Sequence, residues 1–247
     1  SVGLPFFNIV IIPLVVPFLF LMAVGPKFGW IKSQNKILHK ILFLILSAVV
    51  INLFIFYFFG KYSFLSNLIF ITAIFLILYL ALDIKELINK KSKLELPRII
   101  SHLGFGMLVF FIGINYQFSL EEDFNLKVGG IKKIDNYEIN FKNIKIKENK
   151  NYKAVIGNFK IINNKNNSVQ YLDPEIRIYS NPDTLTYEAA IKTRITSDLY
   201  LTMSNVSRSE YYNIKFQNKP FMIWIWISAF MIALGGFVQL TLKKNEH

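Results

Sequence analysis

The fold is decided by one stretch of the sequence, LPRIISHLGFGM at residues 96–107, which opens an apolar run that continues to Tyr116. If this run is a helix, His102 lies more than one turn inside it. The chain has three histidines, and only His102 lies within an apolar segment. Burying an ionisable side chain in hydrocarbon is costly, so such a residue predicts a functional site. Neutral imidazole is also a common ligand of metal ions.

The residues around His102 form a pattern on the predicted helix. At about 100° per residue, His102, Gly106, Val109 and Gly113 fall on one stripe. One imidazole and three small residues make a flat wall on which a planar macrocycle could lie, with His102 as ligand to its metal. Small residues at this spacing also let two membrane helices approach closely. The residues alone therefore leave two interpretations open, a cofactor ligand and a hydrogen-bonded packing histidine.

The composition excludes several classes of site. Among 247 residues, 53% are hydrophobic and none is cysteine, so the chain has no disulfide, thiolate ligand or covalent haem-attachment motif. The formal charge of +12 could suggest nucleic acid, but the charges outside the apolar runs are interspersed as on a solvated surface. We therefore expect no nucleic-acid partner. Because the chain begins with Ser1 and enters an apolar stretch almost at once, we expect it to be the C-terminal part of a longer protein.

Five apolar segments are long enough to cross about 30 Å of hydrocarbon. They predict a polytopic α-helical membrane protein with five transmembrane helices: Phe6–Val24, Ile41–Phe59, Leu65–Leu82, Ile99–Tyr116 and Pro220–Leu242.

The distribution of basic residues predicts the orientation of these helices. The two longer links between them and the C-terminal tail carry eleven Lys and Arg residues, whereas the short link on the other side carries only Lys61. Basic residues in short loops favour the cytoplasm. Residues 117–219 then lie outside, on the periplasmic side in a bacterium. The predicted organisation is a four-helix region at 1–116, an outer domain at 117–219, and a last helix with a cytoplasmic tail at 220–247.

The outer domain has the sequence pattern of β-strands. Tyr137, Ile139 and Phe141 alternate with polar residues, and the alternation resumes at Ile144 after a phase shift that predicts a bulge or a turn at Lys142-Asn143. Three more strands are predicted at residues 155–162, 175–179 and 211–216. A domain of roughly 100 residues can support its own core. We expect a small sandwich or barrel inserted before the last helix.

Few other residues suggest chemistry. His39 follows a lysine-rich link and is typical of a solvated residue at the membrane interface, and His247 is the chain end. A Ser/His/Asp set is excluded because the outer domain has no histidine. Glu175 and Arg177 predict a surface ion pair on a strand.

Motifs along nearly the whole chain resemble the C-terminal part of the CcmF family, the haem lyase components of cytochrome c maturation (System I). The resemblance is carried, in order, by Ser1–Asn8 (SVGLPFFN), Gly25-Pro26 with Trp30, Ser101–Gly104 (SHLG), Asn151-Tyr152, Asp173–Tyr179 (DPEIRIY), Glu188–Ile191 (EAAI), Asp198–Tyr200 (DLY), and Lys219–Trp226 with Ala233–Gly236.

The resemblance implies that the chain takes part in the transfer and covalent ligation of haem to apocytochrome c, as part of a haem lyase complex. It implies that His102 is one of two axial histidines of a b-type haem whose iron is kept reduced, and that the second histidine lies outside this segment. With the stripe above, Gly106 and Gly113 would lie beside the ring. The implied partners are the haem chaperone CcmE, CcmH- and CcmI-type proteins that handle apocytochromes, apocytochrome c itself and the lipid bilayer. The implied location is a bacterial inner membrane or a mitochondrial inner membrane.

Two alternatives accompany this interpretation. The first is an NrfE-type relative dedicated to one multihaem cytochrome. The second is a polytopic transporter subunit with an outer β domain, which predicts several intramembrane charges or a paired repeat. Tyrosines aside, the sequence suggests His102 as the single intramembrane ionisable residue and shows no repeat.

Overall fold

The computed structural model describes residues 4–27, 35–59, 64–90, 95–205 and 210–244. These residues form five α-helices and ten β-strands, and contacts between Cα atoms separate the helices from the strands as two units. All ten strands lie between the fourth and fifth helices. The predicted fold class, a polytopic helical membrane protein with a β-rich insertion, is confirmed.

The helical unit contains four helices that are long and apolar enough to cross a membrane, and one further apolar helix whose described side chains run from Val10 to Val24. The helices are α1 (Leu4–Val24), α2 (Asn35–Phe59), α3 (Phe64–Lys90), α4 (Leu96–Phe118) and α5 (Met222–Lys244), and a 3-10 turn at Gly25–Lys27 follows α1. α3 continues beyond Leu82, where the apolar run was predicted to end, and α4 starts before Ile99. The predicted spans were therefore too short at these two ends.

Helix α3 lies at the centre of this unit, because it contacts α1, α2 and α4. Its side chains Phe75, Leu76, Tyr79 and Leu80 are buried in an apolar core with Leu19 of α1, among others. Large apolar side chains on other faces are exposed in the protein alone, among them Phe43 and Phe54 of α2 and Phe230 and Phe237 of α5. Such faces suit a lipid solvent, so the unit is organised as an intramembrane bundle.

Helices α4 and α5 pack antiparallel at very short range. A Cβ atom added to Gly104 would lie 2.9 Å from the carbonyl oxygen of Ser228, and one added to Gly235 would lie 2.7 Å from the carbonyl oxygen of Pro97. Between these points Ser101 Oγ donates a hydrogen bond to the carbonyl oxygen of Ile232 at 3.3 Å. Gly235 is therefore a point of close packing, whereas a Cβ atom added to its neighbour Gly236 would meet nothing within 4 Å. Glycine at positions 104 and 235 lets the two backbones approach, as is common between membrane helices.

The strand unit consists of two sheets. One has the order β1-β10-β9-β8 and the other β2-β3-β4-β6-β7, with β5 also paired to β4. The strands are β1 (Leu120–Leu126), β2 (Ile131–Ile134), β3 (Tyr137–Glu148), β4 (Tyr152–Asn163), β5 (Ser168–Leu172), β6 (Glu175–Ser180), β7 (Asp183–Glu188), β8 (Ala190–Lys192), β9 (Ser197–Asn205) and β10 (Tyr212–Pro220).

Both sheets contribute to one apolar core. Phe141 and Phe159 stack with their ring centroids 4.2 Å apart in one sheet, and Tyr137 of that sheet reaches Phe216 of the other at 5.2 Å. The register of β3 against β4 shifts between Phe141 and Asn143, which confirms the predicted bulge. The bulge keeps apolar side chains on the core face on both sides of the phase shift.

Candidate functional site

His102 lies on α4 and is half-buried. Its Nδ1 atom is 3.2 Å from the backbone carbonyl oxygen of Met22 on α1. A carbonyl oxygen only accepts hydrogen bonds, so Nδ1 carries the proton, and in the neutral imidazole Nε2 has the free lone pair. Histidines that bind metals usually have their second ring nitrogen fixed in this way. The donor chemistry at His102 therefore fits a metal ligand through Nε2, although a packing histidine would make the same bond to Met22.

The two glycines of the predicted stripe face α3. A Cβ atom added to Gly106 would lie 3.1 Å from Cδ2 of Leu76, and one added to Gly113 would lie 3.1 Å from Cζ of Phe70. The surface beside both glycines is therefore filled by side chains of α3. Close helix packing accounts for both glycines in this arrangement, and a cofactor ring beside them stays a prediction.

The stripe therefore meets α3 along the edge that holds the two glycines, and its other edge is less covered. Positions 98, 102, 105, 109 and 112 fall on one side at about 100° per residue, and we call this side the His102 face. Near His102 it packs against α1, where the rings of Phe105 and Phe18 meet edge to face at 5.7 Å. Further along, Ile112 is 49% exposed. The described helices therefore cover the His102 face only in part.

Sequence analysis missed a charged pair one turn before His102. The Asp83 carboxylate on α3 is fully buried, and its Oδ2 atom lies 3.2 Å from Nη2 of Arg98 on α4. The same nitrogen lies 2.8 Å from Oε2 of the half-exposed Glu95. Asp83 and Arg98 both fall within the candidate membrane spans Ser66–Ile88 and Leu96–Phe118. The count of one intramembrane ionisable residue was therefore wrong. Ile84, Leu87 and Ile88 were the available signal, because they continue the apolar run beyond Asp83.

One nitrogen of the Arg98 guanidinium has no hydrogen-bond acceptor among the described residues. Its Nη1 atom is shielded from solvent and makes no hydrogen bond to any residue that the structure describes. An imidazole with a free Nε2 and a guanidinium with a free Nη1 lie about one turn apart on one helix face. The lone pair of Nε2 suits a metal ion, and the N–H groups of Nη1 suit an oxygen acceptor.

Of the other two histidines, His39 does not join this site, because it is exposed on α2. His247 lies outside the described residues. Within the described ranges no group of three or more His, Cys, Asp and Glu residues could hold a metal ion.

The strand unit has ion pairs on its surface and an open cleft between two of its loops. Arg177 Nε lies 2.8 Å from Glu175 Oε2, which confirms the predicted ion pair, and the guanidinium also covers the ring of Tyr152 at 5.0 Å. A hydrogen bond from Lys215 lowers the pKa of Glu121, and the same bond raises the pKa of Lys215. The loops that follow β3 and β6 line an open cleft of about 540 Å³ that includes Tyr152 and Tyr179.

Comparison with known proteins relates the whole chain to one family. Residues 117–220 match the family model described as the CcmF C-terminal beta-sandwich. The cytochrome c-type biogenesis protein CcmF of Escherichia coli K12 is 28% identical over 252 residues, which cover 97% of this chain and 38% of that protein. The protein of the same name from Haemophilus influenzae is 26% identical, with 96% of this chain and 38% of the relative covered. The chain thus spans less than half the length of these relatives.

The solved structure of a cytochrome c haem lyase CcmF has the same fold, with a TM-score of 0.77 at 18% sequence identity. It matches 96% of this chain, which in turn covers 40% of the solved chain. Almost all of the sequence therefore matches CcmF proteins in its strand unit, its helices and the order of its motifs. The chain is therefore similar, along almost all of its length, to the C-terminal part of its longer CcmF relatives.

Proposed function

We propose that the chain is a haem-handling component of cytochrome c biogenesis, in which His102 supplies one axial ligand to a b-type haem. The observation that carries the proposal is the hydrogen bond from His102 Nδ1 to Met22, because it orients the ring and leaves Nε2 available to iron. When bound, the haem would supply a one-electron redox centre. The role of this chain's own residues is to bind and orient the ring on the His102 face.

The proposal requires a second axial ligand from outside the described residues. It also assigns partners by analogy with the family: the haem chaperone CcmE as the source of haem, and CcmH- and CcmI-type proteins that present apocytochrome c. The membrane would be a bacterial or mitochondrial inner membrane, with the strand unit on its outer side. Relatives of this chain are named for cytochrome c biogenesis, and this supports the assignment.

The charged pair at Asp83 bears on the transporter alternative. A transporter site is expected near the middle of the bilayer. Arg98 lies only two residues after the start of α4 at Leu96, so the pair is at one end of its helix. Its position favours a haem-handling role over a substrate pathway at the membrane centre. An NrfE-type relative would use the same site, and would differ in the cytochrome served.

The test is the His102→Ala variant, in membranes that hold the chain together with the rest of its haem lyase. We expect loss of most b-type absorbance, or a change from six-coordinate low-spin to five-coordinate haem, and loss of cytochrome c maturation. His39→Ala is the matched control, because it removes an exposed histidine at the start of α2. It should leave both measurements unchanged.

A His102→Ala protein with full haem content and normal maturation would show that this histidine only joins α4 to α1. A His102→Asn variant guards against misfolding as the cause of a loss. Its amide nitrogen takes the place of Nδ1 and can still donate to the carbonyl of Met22, but the side chain is a poor iron ligand, so the variant should be folded and still lack the six-coordinate spectrum.

A further inference from the structure

The buried carboxylate of Asp83 determines where Arg98 lies. Asp83 has no solvent-exposed side-chain surface, and a charge at this depth is tolerated only with a counter-charge. Arg98 Nη2 provides it from the adjacent helix at 3.2 Å. Since only 23% of the Arg98 side chain is exposed, its guanidinium is held against α3. Asp83 is thus a positioning residue for Arg98.

The contacts of Arg98 use only one part of the guanidinium. An arginine offers five N–H donors in a planar fork. Asp83 and Glu95 both contact Nη2, whereas Nη1 has no acceptor among the residues described here. Leaving a shielded donor without an acceptor is costly, more so when the group is charged. Oδ1 of Asp83 is also shielded and makes no hydrogen bond within the described ranges, so it does not serve Nη1 in this arrangement, and Nη1 is available to a further acceptor.

The position of Arg98 indicates what that acceptor is. Arg98 and His102 are four residues apart on one helix, so they lie on the same face at an axial distance of about 6 Å. A haem carries its iron at the centre of the ring and two flexible propionate carboxylates at one edge. A guanidinium one turn from the iron ligand is within reach of such a chain and binds carboxylates in a directional way.

We propose that Arg98, held by Asp83, binds a propionate carboxylate of the tetrapyrrole. Glu95 is 54% exposed on the same guanidinium, so the ligand carboxylate can replace it there at little cost. The arrangement sets the direction of the ring, with its carboxylate edge towards the start of α4. This inference rests on the proposed function, since it names the second contact of the same site.

The experiment compares two metal-free probes, protoporphyrin IX and its dimethyl ester, which differ only in the charge and acceptor strength of the two carboxyl groups. Binding to the membrane-embedded haem lyase is measured by porphyrin fluorescence. We expect the ratio of the acid's affinity to the ester's affinity to be about tenfold higher in the wild-type protein than in the double variant described below. That factor is typical of one charge-assisted hydrogen bond.

The reference is the double variant Asp83→Asn/Arg98→Gln, which removes both charges of the pair and leaves no buried ion unpaired. It should bind the acid and the ester equally. Arg98→Lys keeps the charge but loses the fork, and should fall between the two. Glu95→Gln removes the competing carboxylate, and should bind the acid at least as tightly as the wild-type protein.

Equal preference for the acid in the wild-type protein and the double variant would overturn the proposal. So would a dependence on anionic phospholipid without any difference between acid and ester, because Arg98 would then hold a lipid phosphate.

The probes contain no iron, so they do not depend on His102 as a ligand. A wild-type protein that holds six-coordinate haem but does not prefer the acid over the ester would therefore reject only the role of Arg98. An unchanged haem spectrum in His102→Ala would reject only the role of His102.

Discussion

Two buried aspartates are satisfied in different ways. Asp83, inside the helical unit, has an arginine as its counter-charge. Asp198, in the strand unit, is 5% exposed and accepts hydrogen bonds from the backbone N–H of Arg194 at 3.3 Å and from the hydroxyl of Thr193 at 3.5 Å. Backbone donors are available in a loop, whereas the N–H groups of a helix interior are already used within the helix. A buried carboxylate on α3 therefore needs a side-chain donor.

Tyr200 lies next to Asp198 and should titrate above its ordinary range. Burial raises the pKa of Tyr200, and the neighbouring negative charge and a hydrogen bond to Asp198 raise it further. The neutral form is favoured in the folded protein, so above about pH 10 the unfolded chain holds fewer protons at this site and stability falls as the pH rises. The tyrosine ¹³Cζ resonances, assigned with Tyr200→Phe, give the measurement. Asp198→Asn should lower the pKa of Tyr200, and an unchanged value would contradict the role of Asp198.

The residues of the candidate site differ in how far the sequence predicts them. His102 is recognisable because one imidazole interrupts a long apolar run. Arg98 was counted with the basic link and the third predicted span ended at Leu82, just before Asp83, because a charge near the end of an apolar segment normally lies in solvent. Only the packing of α3 against α4 shows that these two charges meet and are shielded. The contact is tertiary, so no local pattern contains it.

Helix α4 has a different environment on each of three sides. Gly106 and Gly113 face α3, Gly104 and Ser101 face α5, and the His102 face is only partly covered. Sequence periodicity identifies residues that share a side of a helix, but it does not say which neighbour that side meets. This is why small residues next to His102 suggested a wall for a cofactor, although they serve the contact with α3.

The two kinds of glycine in this bundle should respond differently to alanine. Gly104→Ala places a methyl group about 3 Å from backbone atoms of α5, which cannot move without shifting the helix. We expect a loss of about 1–3 kcal/mol in the free energy of unfolding. Gly236→Ala meets nothing within 4 Å, and alanine favours helix by up to about 1 kcal/mol, so this control should be neutral or stabilising. Unfolding in mixed micelles measures both, and equal effects would exclude close packing at Gly104.

The strand unit was predicted best where its strands are long and alternate clearly. The strands at Tyr137–Glu148, Tyr152–Asn163, Glu175–Ser180 and Tyr212–Pro220, and the bulge in the first of them, were all anticipated. The strands missed include Asp183–Glu188 and Ala190–Lys192, whose side chains are mostly exposed. Both lie at a sheet edge, where pairing on one side requires no apolar pattern.

The helical unit has a polarity along its axis, with basic residues at one end. Lys40 at the start of α2 lies 3.4 Å from Glu86 near the end of α3, and Arg98 at the start of α4 meets Asp83, so these basic residues lie at one end of the bundle. At the other end, Ser66 of α3 donates to Gln117 of α4 at 3.4 Å. The antiparallel packing of α4 and α5 places the end of α4 and the start of α5 at this second end, where Phe111 stacks on Trp224. The end of α4 and the start of α5 therefore lie at the end of the bundle opposite Lys40 and Arg98.

This polarity predicts the orientation in the membrane. Lysine and arginine in short links favour the cytoplasm, so the end of α5 should be cytoplasmic and the strand unit external. A reporter that fluoresces only in the cytoplasm should be bright when fused after Lys244. It should be dark when inserted at Asn166, in the exposed turn between β4 and β5. An alkaline phosphatase reporter, active only outside, should give the opposite result at the same two positions. A dark fusion after Lys244 with a bright one at Asn166 would reverse the orientation, and would place the strand unit in the cytoplasm, away from the compartment where cytochromes c mature.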